Sequence, residues 1–249
     1  MKTGYDITVH SSEGERITEQ KLVGLLKNSP ISDEEILANL GLYLTSKSLS
    51  RLLFFYEIYK KVSKAHGVIM EFGARWGQTT SLLSVLRGIF EPFNRTRKVI
   101  GFDTFCGHRG MGEKDGNISE EGAYSLPADY DKYLARLLQV QEDLNPISHI
   151  RKFEVVKGDL VVTLPRYLEK HPETIISLAI FDLDIYKPTK EALATIQPYL
   201  CKGSILIFDE LCDEVFPGET QALREVIATS QLRLQRMPMT ARLAYFKVE

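Results

Sequence analysis

From Gly67 onward the chain alternates short, unbroken apolar runs with amphipathic stretches. The runs are Val68–Phe72, Val99–Phe102, Phe153–Val156, Ile175–Phe181 and Ser204–Phe208. Their length, their Ile/Leu/Val/Phe content and their lack of polar alternation predict strands covered on both faces. Between them, helical periodicity runs near Thr79–Phe90, Ala128–Asp143, Leu160–Glu169 and Thr189–Leu200. Strand–helix alternation of this kind predicts an α/β fold built on a doubly wound, mostly parallel sheet. Beyond Pro217 the pattern predicts one more helix, Glu219–Ala228. The closely spaced runs Leu232–Met237 and Leu243–Val248 follow, and they suit an antiparallel hairpin at the sheet edge.

The front of the chain differs. Residues 1–45 are polar and mixed, with weak helical patterning at Ile17–Leu26 and Asp33–Leu40. Ser46–Val62 is a clear helix, with Leu49, Leu52, Leu53, Tyr56, Tyr59 and Val62 read onto one apolar face. Residues 1–45 are expected to form an N-terminal extension or helical cap, residues 46–249 the α/β domain. The long irregular stretch His108–Pro127, rich in Gly, Glu, Asp and Ser, has the length of a functional loop over a site.

Composition narrows the class of protein. A net charge of −2 leaves no global footprint for nucleic acid. No apolar stretch is long enough to span a bilayer, and MKTGYDITVHSSEGER lacks the apolar core of a secretion signal. Cys106, Cys201 and Cys212 have no metal-finger spacing and cannot all pair, so a reducing, cytoplasmic location is expected.

Candidate chemistry gathers where the runs end, which in an open parallel sheet is where ligands bind. The first run leads into Glu71-Phe72-Gly73-Ala74-Arg75-Trp76-Gly77-Gln78-Thr79. Its Gly-x-x-x-Gly spacing allows a sharp turn close to a ligand but is not the dinucleotide fingerprint. Glu71 just before it would repel phosphate and attract a cation. The second run ends at Asp103, where a ribose diol finds a bidentate acceptor. Gly158-Asp159 follows the third run. An acidic, phosphate-averse nucleoside pocket suits S-adenosylmethionine, whose sulfonium is positive, better than NAD. The bland reading of each acid is a helix cap or solvated turn residue.

The fourth and fifth runs each end in paired acids, Asp182 with Asp184 and Asp209 with Glu210. If these strands are neighbours, up to four carboxylates converge, which is costly without a cation or raised proton affinities. A divalent metal answers that need. Asp-x-Asp before Tyr186-Lys187-Pro188-Thr189 also reads as an Asx-turn and helix start.

Several linked phrases then converge on one family. VIMEFGARWGQTTSLL, RKVIGFDTFCG, EKDG, VKGDLVVTLPRYLEK, FDLDIYKPTKEAL, KGSILIFDEL, FPGETQALREV and RMPMTARLAYFKVE occur in order from about Leu49 to the C-terminal residues. With them the chain resembles the macrocin O-methyltransferase family of class I S-adenosylmethionine-dependent methyltransferases, some of which methylate deoxysugar hydroxyls in natural-product pathways. The resemblance implies a Rossmann-like sheet with an antiparallel C-terminal strand. It implies a cofactor site drawn from Glu71, Gly73, Gly77, Thr79, Asp103, Thr104, Phe105, Asp159 and Asp182. It further implies magnesium on Asp182, Asp209 and Glu210, Asp184 as general base, a small hydroxylated acceptor such as a sugar or glycosylated metabolite, and a homodimer. Cys106 stands where the family usually has glutamate, and Glu210 where it often has aspartate. Rival readings of the acid pairs are phosphoryl transfer, glycosyl transfer, a hydroxylase-like reaction and a non-catalytic cofactor-binding partner. Phosphoryl transfer normally puts Asp-x-Asp after the first strand, and glycosyl transfer needs a diphosphate site that Glu71 disfavours.

Overall fold

The computed structural model describes residues 11–116 and 120–249. The first ten residues of the expected N-terminal extension and three of the 108–127 loop lie outside it. A seven-stranded sheet forms the centre, with strands β1 (Val68–Phe72), β2 (Val99–Asp103), β3 (Phe153–Lys157), β4 (Ile176–Phe181), β5 (Leu200–Phe208), β6 (Gln235–Arg236) and β7 (Ala244–Lys247) in the order β3-β2-β1-β4-β5-β7-β6. The first five are parallel. β7 pairs antiparallel with both β5 and β6, so the expected hairpin forms with β7 inside the sheet and two-residue β6 at its edge.

Helices cover both faces, as unbroken apolar strands demand. On one side lie α2 (Ser46–Val62), α3 (Gln78–Phe90) and α4 (Tyr130–Asp143). On the other lie α5 (Leu160–Lys170), α6 (Tyr186–Ile196) and α7 (Gly218–Val226). Alternate strand residues feed the two cores. Met70, Phe72, Phe102, Phe181 and Phe208 pack under α5–α7, while Ile69, Val99, Leu178, Ile180 and Ile207 pack under α2 and α3. Strand order reverses between β1 and β4, and the crevice at that switch point is where the strand ends present their side chains.

Two sequence expectations change, at Asp33–Leu40 and on the apolar face of α2. Helix α1 (Glu13–Lys27) is capped by a Ser12–Glu15 box yet buries no residue, and Asp33–Leu40 forms turns followed by a short 3₁₀ segment, Leu40–Tyr43. Leu37 and Leu40 are exposed, and a short segment without a buried face cannot repay helix nucleation. The apolar stripe of α2 is also rotated from the expected one. Phe54, Phe55, Ile58, Tyr59 and Val62 are buried, whereas Leu49, Leu53 and Tyr56 face outward. The three cysteines are free, and among the described residues no helix is long and apolar enough to cross a membrane.

Candidate active site

A cavity of about 1310 Å³ opens along the carboxyl ends of the parallel strands. Its floor at β1 is set by backbone contact. Gly73 has φ +92°, and a Cβ there would lie 1.7 Å from the Asp182 carbonyl oxygen, so only glycine lets the first turn rest on the loop after β4. Gly77, at φ +76°, begins α3 and abuts Leu134 rather than the cavity. Glu71, Gly73 and Thr79 line the wall. Thr80 donates its hydroxyl proton to the Glu71 carboxylate. Burial raises Glu71 to about 7, against the pull of Thr80 and Arg51.

At the end of β2, Asp103 accepts the backbone N–H of Phe105 at 2.6 Å and of Arg75 at 2.7 Å. These two bonds aim its carboxylate across the cavity while burial raises its proton affinity. Thr104 shares this wall. Phe105 does not: at φ +56° its ring turns into an apolar cluster with Leu134, Leu138 and Phe153. Asp159 caps α5 by accepting Val161 N–H at 3.0 Å, and also lines the cavity, so the cap and ligand-facing readings coexist. From the 108–127 loop, His108, Arg109 and Tyr124 reach the cavity, with the Arg75 guanidinium 4.5 Å from the Tyr124 ring centre.

Strands β4 and β5 are neighbours, so their acids do converge. Carboxylate oxygens of Asp182, Asp184 and Glu210 all lie within 4.8 Å of one another. Asp209 is engaged differently. Arg51, from α2, reaches it at 2.7 Å and Asp182 at 2.9 Å, and Arg242 lies 3.4 Å from Asp209 and 3.2 Å from Glu210. The set of oxygens the geometry brings together is therefore Asp182, Asp184 and Glu210, with Asp209 held by two guanidiniums. His108 Nε2 sits 3.2 Å from Asp184 Oδ2.

The electrostatics follow from this layout. Burial and the charge of Asp209 push Asp182 well up, and burial with Asp184 and Asp209 does the same to Glu210. Burial works to raise Asp209, yet Arg51, a hydrogen bond with Glu210 and the charge of Arg242 together keep it below its ordinary range. Glu210 Oε2 is buried with no hydrogen-bond partner among the described residues. An orphaned carboxyl oxygen beside two more carboxylates is a donor set suited to a hard divalent cation, which would also relieve the crowding that raises Glu210.

Arg51, Arg242 and Tyr124 line the cavity and are not singled out by sequence reasoning, whereas Glu219 belongs to Pro217-Gly218-Glu219-Thr220, a helix start whose closeness to the acid pairs allows acceptor contact. Arg51 was detectable, because it stands at helical spacing from Phe54, Phe55, Ile58 and Val62 on the buried stripe. A charged residue heading such a stripe needs a partner.

A doubly wound sheet with antiparallel β7 beside β5, a glycine turn after β1 and an acid closing β2 together define a class I S-adenosylmethionine-dependent methyltransferase. No protein-family model and no curated protein sequence matches the chain. Solved structures do. The crystal structure of CalS11, a calicheamicin methyltransferase, is 40% identical over 98% of this chain and 97% of its own, with a TM-score of 0.93. The apo structure of CalS11, described as a TDP-rhamnose 3'-O-methyltransferase of calicheamicin biosynthesis, is 40% identical over 96% of both chains, TM-score 0.86. The O-methyltransferase NovP shares the fold, at 16% identity over 80% of this chain and 79% of its own, TM-score 0.60. With CalS11, the chain belongs to the macrocin O-methyltransferase-like family of S-adenosylmethionine-dependent O-methyltransferases.

Proposed function

We propose that this protein transfers the methyl group of S-adenosylmethionine to a hydroxyl of a deoxysugar carried on a nucleotide, with Asp184 as general base and a divalent cation at the acid cluster. The observation that carries the reading is the convergence of Asp182, Asp184 and Glu210 beside the crevice lined by Glu71, Gly73 and Asp103. The nucleotide-sugar acceptor is supported by the 40% identity to CalS11, whose described substrate is TDP-rhamnose. Lys47 and Arg109 on the cavity wall offer cations for a diphosphate.

In this reading Asp103 accepts the ribose hydroxyls, Thr104 and Asp159 flank the nucleoside, and Glu71 with the Gly73 turn faces the methionyl end. Phe105 supports that wall from the core, and Gly77 shapes the turn. Asp182 and Glu210 are ligands in both the sequence-derived and the geometric set and would hold magnesium, with Asp209 oriented beside them by Arg51 and Arg242. A bound divalent ion would lower the proton affinity of the acceptor hydroxyl and orient it. Asp184 takes the hydroxyl proton as the oxygen attacks the methyl carbon and the carbon–sulfur bond breaks, with S-adenosylhomocysteine as leaving group. His108 steadies the Asp184 carboxylate through its Nε2. Because the cofactor is already activated, most of the acceleration comes from positioning.

Residues 1–45 serve as a cap in this reading, supported by Ser12, Glu15, Thr18 and Glu19 of the α1 region on the cavity wall. The outward stripe Leu49, Leu53 and Tyr56 supports a homodimer. Incubation with TDP-rhamnose and S-adenosylmethionine labelled with ¹³C at the methyl group tests the proposal. A new O-methyl carbon resonance that disappears with EDTA and returns with magnesium is expected. Unchanged transfer in EDTA removes the cation from the mechanism, and no transfer to any nucleotide sugar removes the acceptor class.

A further inference from the structure

The β4–β5 ladder ends just where the acids begin. Phe181 and Phe208 are its last paired residues, and the last backbone bond runs from Asp209 N–H to the Phe181 carbonyl at 3.1 Å. Beyond it, among the described residues, no backbone hydrogen bond joins the two acid-bearing loops. A side chain does. Glu219, fully buried in the first turn of α7, accepts Leu183 N–H on Oε1 at 3.0 Å and Glu210 N–H on Oε2 at 3.2 Å. Leu183 lies between Asp182 and Asp184, so one carboxylate grips both loops at the residues that matter.

We propose that Glu219 is a positioning residue for methyl transfer, its carboxylate acting as an extra rung that sets the spacing between the Asp182–Asp184 loop and the Asp209–Glu210 loop. The inference rests on the acid cluster being the reaction centre. Three features point to position rather than mere packing. Both oxygens are used by different loops, so an amide would offer one acceptor and turn its NH₂ against an N–H donor. Asp184 adopts φ +62°, a left-handed conformation that a non-glycine residue keeps only when its surroundings over-determine it. Glu219 fixes the residue before it, and Asp115, buried in the 108–127 loop, fixes Tyr186 after it by accepting its N–H. Finally, Gly218 lets α7 begin against α6: a Cβ there would fall 2.6 Å from Tyr186 N and 2.9 Å from Asp115 Oδ1. Only that close start delivers Glu219 between the loops. A carboxylate amid Asp182, Asp184 and Glu210 is an electrostatically poor choice for stability alone.

The test is Glu219→Gln in the full chain, with steady-state turnover of TDP-rhamnose, calorimetric S-adenosylmethionine affinity, and amide hydrogen exchange read together. The expected result is a kcat lowered at least tenfold, cofactor Kd within twofold of wild type, and at least tenfold faster exchange at Leu183 and Glu210. A kcat within threefold of wild type, or cofactor affinity falling in proportion to kcat, overturns the proposal. If the variant does not fold, the wild-type protein decides. Leu183 and Glu210 amides protected beyond free loop rates support the rung, and unprotected amides overturn it. A wild-type protein that turns over no acceptor refutes the functional reading instead, while the exchange measurement still judges Glu219.

Discussion

Two regions of this molecule bury charge, and they do it in opposite ways. Beneath α3, α4 and β3, Glu142 bonds Arg87 at 2.5 Å and Lys152 at 2.6 Å, all three almost fully buried. Arg87 also donates to the Lys152 carbonyl at 2.8 Å, and Lys152 to the carbonyls of Ile147 and Ile150. At the strand ends, Glu71, Asp182, Asp184, Asp209, Glu210 and Glu219 face Arg51 and Arg242 as their arginine partners among the described residues, with His108 beside Asp184. The first cluster answers every carboxylate oxygen with a cation and pins three elements together. The second keeps a surplus of negative charge, and that surplus raises Asp182, Glu210 and Glu219. Uncompensated burial is destabilising, so where it persists beside a cavity it marks where chemistry is done.

Mutation should separate the two clusters cleanly. Asp184→Asn is expected to lower kcat by roughly 10²- to 10⁴-fold as the proton acceptor is lost. Stability should hold or rise, because one of several crowded charges is gone and asparagine tolerates the left-handed backbone. Turnover beside chemical denaturation checks both halves. Glu142→Gln should do the reverse, costing about 3–5 kcal/mol of unfolding free energy by leaving Arg87 and Lys152 poorly compensated. Turnover at low temperature should be preserved in the folded fraction, and a large drop in kcat there would blur the comparison. Asp103→Ala should weaken S-adenosylmethionine by about 10- to 100-fold, roughly 1.4–2.8 kcal/mol. Calorimetry would read that as a cofactor defect, and normal affinity would contradict the ribose assignment.

A further effect is set by pH. Glu71 rises from 4.5 to about 7 in the folded chain, so the folded state holds this proton more tightly than the unfolded one. Stability is therefore lost as pH climbs from about 4.5 through 7, by up to roughly 2–3 kcal/mol. Glu71→Gln should relieve this, raising the thermal midpoint by several degrees at pH 8 and hardly at all at pH 5. The same variant should bind the cationic cofactor less well at pH 8. A midpoint gain equal at both pH values would assign the effect to packing.

Much of this was legible from residue order, and the exceptions are instructive. The strands were readable because each is apolar on both faces and stops at a turn residue. The convergence of the acid pairs followed once β4 and β5 were taken as neighbours. Arg51 escaped because the α2 stripe was drawn through Leu49 and Leu53. Two apolar faces compete on that helix, and only packing shows that the one headed by Arg51 is buried. The resemblance puts Phe105 beside the cofactor, yet its positive φ turns the side chain into the core, which residue order cannot reveal. The resemblance makes Asp209 a metal ligand, and its two guanidinium partners were not legible because they come from positions 158 residues before and 33 after it. Glu219 looked like the start of a helix, which it is. Its second task depends on where α7 meets two distant loops.

The place of β7 carries a consequence for biosynthesis. It follows every other strand along the chain, yet it is seated between β5 and β6, with Phe208 paired to Ala244. Arg242, the countercharge of Asp209 and Glu210, lies two residues before its first residue. A nascent chain that has not passed Lys247 thus carries an open edge on its acid-bearing strand and a carboxylate cluster missing one of its two guanidiniums. The ribosome must therefore deliver β7 before the sheet can close, so the acid-bearing strand β5 keeps an open edge until every other strand of the sheet has been made.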